Sequence, residues 1–397
     1  MASKNFIAID LEAGQGRVCL ASVNESAINT SLLHSFDIKP LNLPGGSYWD
    51  IYAIYSEVLK GLALAARKGI EIESIGITGW SDDLVAIAKD GSICGLPKAS
   101  VKDPVPEKYV QKLYKKIPET QIYTRCGVKA GPQDSLCQLY AMRKRKSASL
   151  KVAKYLLYIP STIAYMLSGE KFTEASIHSA SGLMNTEKGR TDKELLSACK
   201  VKARRFPTIV QPGRKTGRLS DENSRLTGLQ KTPIVTVAQY APASAVVATP
   251  ASNADFAAIL CDDNAVVAVE SDTLVNGPDN CRAADGRYLA YRKFTATETT
   301  GNFEIISNAL AAAVDDLKGD SGRVVNTIHM MGRGASDRDL CQMTADKSGI
   351  PVVAGPSDPV ITGNVIQQAR VAGCFKSLAD AREFIRRATV TALYTPK

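Results

Sequence analysis

Phe6-Ile7-Ala8-Ile9-Asp10-Leu11-Glu12-Ala13-Gly14-Gln15-Gly16-Arg17-Val18 is an apolar run that ends on a carboxylate, turns through two glycines and leads into a second run. Such a turn presents bare backbone N–H groups. Gly14 and Gly16 allow positive φ and close approach, Asp10 at the strand end suits the shell of a Mg²⁺ ion, and Arg17 adds positive charge. Glu12 puts an acid where phosphates would lie, and like charges a few ångströms apart repel strongly. The same residues also make an ordinary β-hairpin, so the stretch by itself leaves a phosphate cradle and a plain turn both open.

The chain has 397 residues, with 45% hydrophobic and 22% charged content, which suits a globular protein of two domains. Its 49 Lys and Arg against 40 Asp and Glu give a net charge of +9. The densest basic run, Arg143-Lys144-Arg145-Lys146, follows the helix-like Ser135–Met142 without interleaved aromatics. It reads as a solvated helix end, and no nucleic-acid partner is expected. Nine widely spaced cysteines with no C-x-x-C pair and only three His support neither a zinc site nor a disulfide framework. No apolar stretch is long enough to cross a membrane, and a reducing cytoplasm is the expected setting.

Working outward, Asn5–Asp10, Arg17–Val23 and Leu32–Ile38 read as three antiparallel strands. A helix follows over Tyr48–Lys68, where Ile51, Ile54, Tyr55, Val58, Leu59, Leu62 and Ala65 recur at helical spacing. Ser74–Ile77 and Leu84–Ala88 return to strand. From Thr232 a similar programme begins again. Pro233–Ala238, Phe256–Leu260 and Ala265–Glu270 read as strands, Phe303–Leu317 as a helix, Thr327–Met331 as a strand and Leu340–Ser348 as a helix. Val352–Ala354, Val360–Ala372 and Leu378–Ala388 complete it as one strand and two helices. Two α/β halves of related order imply an internal duplication with a ligand cleft between them.

The residues also carry a family resemblance over the whole length. Ala8-Ile9-Asp10-Leu11 with Gly16-Arg17-Val18, Ser47-Tyr48-Trp49-Asp50, Gly69–Ile77 with Trp80 and Asp83, Gly95-Leu96-Pro97, Leu167-Ser168-Gly169, Ala243-Ser244-Ala245-Val246, and Ala354-Gly355-Pro356 with Gly363-Asn364 resemble the FGGY sugar kinases. Within that group the rhamnulokinases are most similar. The resemblance implies two actin/hexokinase-like (ribonuclease H-like) α/β domains around an interdomain cleft. Residues 1–230 would form the sugar-binding domain and 231–397 a nucleotide-binding domain, shortened by a deletion near 294–302. ATP and Mg²⁺ are the implied cofactors and a ketose the implied substrate, with a carboxylate deprotonating the attacking hydroxyl.

By family position, Asp10, Ala13, Gly14, Gln15, Gly16, Arg17, Asp263, Gly332 and Gly334 would meet the nucleotide, with Asp10 also nearest the metal. Trp80, Ser81, Asp83 and Tyr240 would meet the sugar. The chemistry-bearing positions depart from the pattern. Gln239-Tyr240-Ala241-Pro242-Ala243-Ser244-Ala245-Val246 puts Ala241 where the family has its catalytic Asp, and Tyr240 is a poor base at neutral pH. Cys261-Asp262-Asp263-Asn264 replaces a Ser-Gly-Thr-Trp phosphate turn, and Gly332-Arg333-Gly334-Ala335-Ser336-Asp337 puts Arg333 inside a glycine turn that resists a side chain. Asp262 and Asp263 as a new metal site, and Arg333 as a phosphate ligand, are alternative readings. The resulting expectation is a catalytically impaired, sugar-binding or regulatory homologue, the alternative being an active sugar kinase with a rearranged site. Nothing in the sequence names a protein partner.

Overall fold

The structure is a computed structural model that describes residues 3–294, 303–389 and 391–397. Strand β1 (Lys4–Leu11) pairs antiparallel with β2 (Gln15–Val23), which pairs antiparallel with β3 (Ile28–Asp37). Six residues of β1 are buried in succession, as expected of a central strand covered on both faces. Helix α1 (Ile51–Ala66) starts where the Asp50 side chain accepts from the N–H groups of Tyr52 and Ala53. Its Ile51, Ile54, Val58, Leu62 and Ala65 face the sheet. The chain then returns as Ser74–Gly79, parallel to β1.

Two sheets carry related programmes. The first has six strands in the order Arg214–Arg218, Pro233–Thr236, Ser74–Gly79, β1, β2, β3. The second has seven, in the order Asp279–Arg282, Tyr288–Phe294, Ala265–Ser271, Phe256–Cys261, Thr327–Met331, Val352–Ala354, Ala392–Tyr394. Each contains three antiparallel strands followed by two parallel ones.

Three expectations need correction. Pro233–Thr236 does not begin the second half; it pairs with Ser74–Gly79 in the first sheet, which therefore draws on residues beyond 230. The third antiparallel strand of the second sheet is Tyr288–Phe294 instead. Leu84–Ile87 leaves the main sheet for a separate ladder with Tyr155–Tyr158. Alternation identifies a strand, but it carries no information about its partner. The expected deletion near 294–302 falls largely on 295–302, outside the described residues.

The halves are joined through exchanged helices. Pro359–Val371, from the second half, packs its Ile361, Val365 and Ile366 with Phe6 and Ala8 of β1. Gln368 seals the contact, donating to the Ile7 carbonyl at 3.0 Å and accepting from the Ser74 hydroxyl at 2.7 Å. Ala241–Val247 lies across the same helix. Among the described residues no helix is long and apolar enough to cross a membrane.

Candidate functional site

The opening hairpin ends in a closed ion network. Asp10 is fully buried and accepts from Arg17 Nη2 at 2.7 Å and from Thr78 Oγ1 at 2.9 Å. Arg17 reaches on to Asp358 at 2.9 Å, before the helix Pro359–Val371. Burial works against the guanidinium, but Asp10 and Asp358 outweigh it and hold Arg17 charged. Ala13, Gly14 and Gln15 form the exposed turn, where Gly14 has φ +144 and open space around its Cα. Gly16 faces inward: a Cβ there would stand 2.2 Å from the Phe36 ring, so it serves packing against β3. Burial, reinforced by Asp10, pushes the Glu12 carboxyl up to about 7, against the pull of Arg17.

The facing turn of the second domain is closed in a similar way. Gly332 takes φ +81, and Arg333 begins a short 3-10 turn, so the glycine absorbs the conformation that Arg333 was expected to resist. Arg333 pairs with Asp263 through Nη2 and with Asp262 at 3.6 Å, and its backbone N–H donates to Asp262 Oδ1 at 2.9 Å. The two carboxylates thus have a partner within the same pair of turns. A Cβ on Gly332 would stand 2.8 Å from Asp262 Oδ1, and one on Gly334 would stand 2.7 Å from Cys261 Cβ. Both glycines face this turn. Among the described residues no group of three His, Cys, Asp or Glu side chains is arranged to hold a metal ion.

Of the residues expected to meet a sugar, Trp80 lies half-buried in the loop after Ser74–Gly79. Asp83, expected to contact a polyol, is 1% exposed. Its Oδ2 accepts from Trp49 Nε1 at 2.6 Å and Trp80 Nε1 at 2.9 Å. Its Oδ1 accepts from the Ser100 N–H and Gln138 Nε2, each at 3.2 Å. Burial raises this carboxyl's pKa, and the bonds from Trp49, Ser100 and Trp80 oppose the rise. Asp83 therefore fixes the loop and the indole planes, whose ring centroids lie 5.2 Å apart. Ser81 is 2% exposed and bonds to Asp82 at 3.0 Å, so it too faces inward.

The Trp80 loop runs beside Tyr240. The Gly79 N–H donates to the Gln239 carbonyl at 2.8 Å, and Gly79 and Tyr240 form a parallel bridge. Ala241, expected at the position of a catalytic Asp, opens the following helix with Pro242 behind it, and its side chain is a methyl group. Burial pushes the Tyr240 phenol up to about 12, with Lys293 opposing. Lys293 forms no ion pair among the described residues and lies 5.6 and 5.5 Å from the ring centroids of Tyr240 and Tyr291. Crowding works against its ammonium, yet Tyr240, Asp82, Asp134 and Asp279 together hold it charged. Burial and Asp82 push the Asp134 carboxyl up to about 8, with Lys293 opposing.

Sequence reading missed Asp82, Asp134 and Lys293 as one group, and Glu174 altogether. Glu174 is fully buried and accepts from the N–H groups of Ser176, Ile177 and Gln239 at 2.7, 3.0 and 3.1 Å. The Tyr240 N–H donates to Ser176 Oγ at 3.2 Å, so this carboxylate anchors the segment that carries Tyr240 and Ala241. A buried acid preceding Ala-Ser-Ile is the only local signal, and it also describes a helix cap.

Comparison with known proteins places these features in a family. Residues 6–246 match the N-terminal domain, and residues 234–372 the C-terminal domain, of the FGGY family of carbohydrate kinases. The rhamnulokinase of Bacteroides thetaiotaomicron is 30% identical over 99% of this chain and 96% of its own length, and that of Bacillus subtilis is 26% identical over 99% and 95%. Among solved structures, xylulose kinase from Lactobacillus acidophilus has a TM-score of 0.87 at 16% identity, covering 99% of this chain and 94% of that one. Plasmodium falciparum glycerol kinase, solved with ADP, has a TM-score of 0.84 at 13% identity and the same coverage. The fold is that of the actin/hexokinase-like sugar kinases, and the chain belongs to the FGGY family of carbohydrate kinases.

Proposed function

We propose that this protein binds a ketose in the cleft between its domains and is impaired in phosphoryl transfer, acting as a sugar-binding or regulatory member of its family. The observation that carries the reading is Ala241 at the position where the family resemblance puts the general base. Losing such a base costs about 10²–10⁴ in rate. Tyr240 beside it, with its phenol near 12, stays protonated at neutral pH.

The two phosphate-side turns add support. Asp10, Asp262 and Asp358 all act electrostatically on Glu12, and the nearby cations Arg17 and Arg333 are already paired. Gly332 and Gly334 are covered by the 261–262 turn. These groups do not fit a triphosphate, which needs free N–H donors and cations rather than carboxylates. With Mg-ATP and L-rhamnulose, coupled ADP release is expected at background. Thermal unfolding should rise with the ketose and not with ATP, because only a ligand of the native state shifts the midpoint.

A second reading, an active sugar kinase with a rearranged site, rests on Asp82. Its carboxyl acts on Tyr240, one residue from Ala241, and burial raises its pKa. A raised carboxyl beside the sugar is chemically suited to accept a hydroxyl proton. Turnover above background that disappears in Asp82→Asn would overturn the first reading in favour of this one.

A further inference from the structure

The basic run Arg143–Lys146 belongs to a larger construction. A groove of about 680 Å³ is lined by Lys116, Arg143, Lys144, Lys146, Lys151, Lys200 and Arg205 over an apolar floor that includes Met142 and Leu150. A lobe of about 230 Å³ shares Lys200 and Arg205 with it and adds Lys154, Lys202 and Arg204. Neither lining contains an Asp or Glu. None of the ten cations forms an ion pair among the described residues. Taking these ten from the 49 Lys and Arg leaves 39 against 40 Asp and Glu, so the protein's whole positive excess is gathered here.

Two of these lysines also mark the ends of the helices that frame the groove. Among the described residues only two non-glycine positions have positive φ, Lys146 and Lys200, both at 54°. Each follows a helix end, where Ser147 N–H bonds the Met142 carbonyl and Val201 N–H the Leu196 carbonyl, a left-handed position that glycine commonly fills and that here carries a lysine on the groove. Arg205 is held in place by donating to the Leu150 carbonyl at 2.7 Å, and burial with the nearby Arg143 and Arg204 lowers its pKa. Crowded, unpaired cations in a concave site are an electrostatic sink for a polyanion.

We propose that this groove binds a small, multiply phosphorylated anion at a site separate from the interdomain cleft. Its limited volume fits a compact ligand. No aromatic side chain lines it, and neighbouring Tyr140 is 2% exposed, so it lacks the stacking platform that single-stranded nucleic acids use. The charge of the groove supplies affinity, and its crowded shared wall at Lys200 and Arg205 favours several phosphates held close together.

Sodium tripolyphosphate is a suitable probe, titrated by calorimetry and thermal shift at low ionic strength. The protein should bind it, with affinity falling as salt is raised. Lys146→Gly with Lys200→Gly removes two charges at positions whose backbone suits glycine, so the melting temperature should stay near that of the parent while affinity falls at least about tenfold. Should that variant melt well below the parent, Lys116→Gln with Lys151→Gln, at exposed and unpaired positions, carries the same comparison. Arg333→Ala, at the cleft, should bind as the parent does. Absence of binding by the parent, equal binding by the groove variants, or loss in Arg333→Ala would each overturn the proposal. Tighter binding of a single-stranded RNA oligonucleotide than of tripolyphosphate would also overturn it, assigning the groove to nucleic acid.

Discussion

Gly363 lies against the carbonyl oxygen of Ser244 so closely that a Cβ added to it would stand 1.8 Å from that oxygen. The contact is where Pro359–Val371 crosses Ala241–Val247, the helix that opens with Ala241. Ser244 Oγ also donates to the Val360 carbonyl at 3.2 Å, and Gln367 Oε1 accepts from the Ala238 N–H at 2.7 Å. The crossing therefore holds the two helices at close approach. Gly363→Ala has a backbone atom to displace, so the loss is expected at the upper end of overpacking, about 3 kcal/mol or more. Urea unfolding measures it; a loss within experimental error would show that the helices separate freely.

A second tie on the Ala241–Val247 helix is electrostatic. Arg382, 7% exposed, grips both oxygens of Glu270, 3% exposed, at 2.7 and 2.9 Å, and donates to the Val246 carbonyl at 3.0 Å. Arg287 meets the same carboxylate at 2.7 Å from a more exposed position. Glu270→Ala leaves Arg382 buried without its anion and should cost about 3–5 kcal/mol. Adding Arg382→Met should recover part of that loss, since the remaining Arg287 can turn to solvent. If the double variant is no more stable than Glu270→Ala, the cost comes from something other than the stranded guanidinium.

How much of this could be read beforehand depended on how far apart in sequence the cooperating residues lie. The hairpin around Asp10, the helix Leu378–Ala388 and the strand Val352–Ala354 were legible because periodicity and turn residues act locally. By contrast, Trp49 and Asp83 are 34 residues apart and Glu174 is 65 residues from Gln239, so no local pattern joins them. The cationic groove illustrates both limits: Arg143–Lys146 stands out as a run, whereas Lys116, Lys151 and Lys200 join it only through folding. Arg333 and Asp262 are a further case: they lie 71 residues apart and meet only when two separate turns come together.

Both tryptophans of the chain donate to one oxygen of Asp83, which makes their emission a direct report on the loop beside Tyr240. Asp83→Ala leaves two indole N–H groups without that acceptor, at about 1–3 kcal/mol for each buried donor left unpaired. The emission should shift to the red and become more open to acrylamide quenching. Asp83→Asn keeps a carbonyl oxygen in place and should change the spectrum less. A spectrum unaltered by Asp83→Ala would mean that packing alone fixes the indoles, and that the carboxylate does not set the loop.

Glu174 links the same segment to pH. Burial pushes its carboxyl from 4.5 up to about 7, against the hydrogen bonds from Ser176, Ile177 and Gln239. With the folded pKa above the unfolded one, its contribution to stability is complete below about 4.5 and is lost as pH rises through about 7. The span corresponds to about 3 kcal/mol at most. Glu174→Gln removes this titration and also turns an amide NH₂ toward backbone donors, so the variant should be less stable throughout. Its penalty relative to the parent should nevertheless shrink between pH 5 and pH 8. Denaturant unfolding of both proteins across that range measures the difference, and a penalty that stays constant or grows with pH would place the Glu174 titration below pH 5 and detach the Tyr240 segment from it.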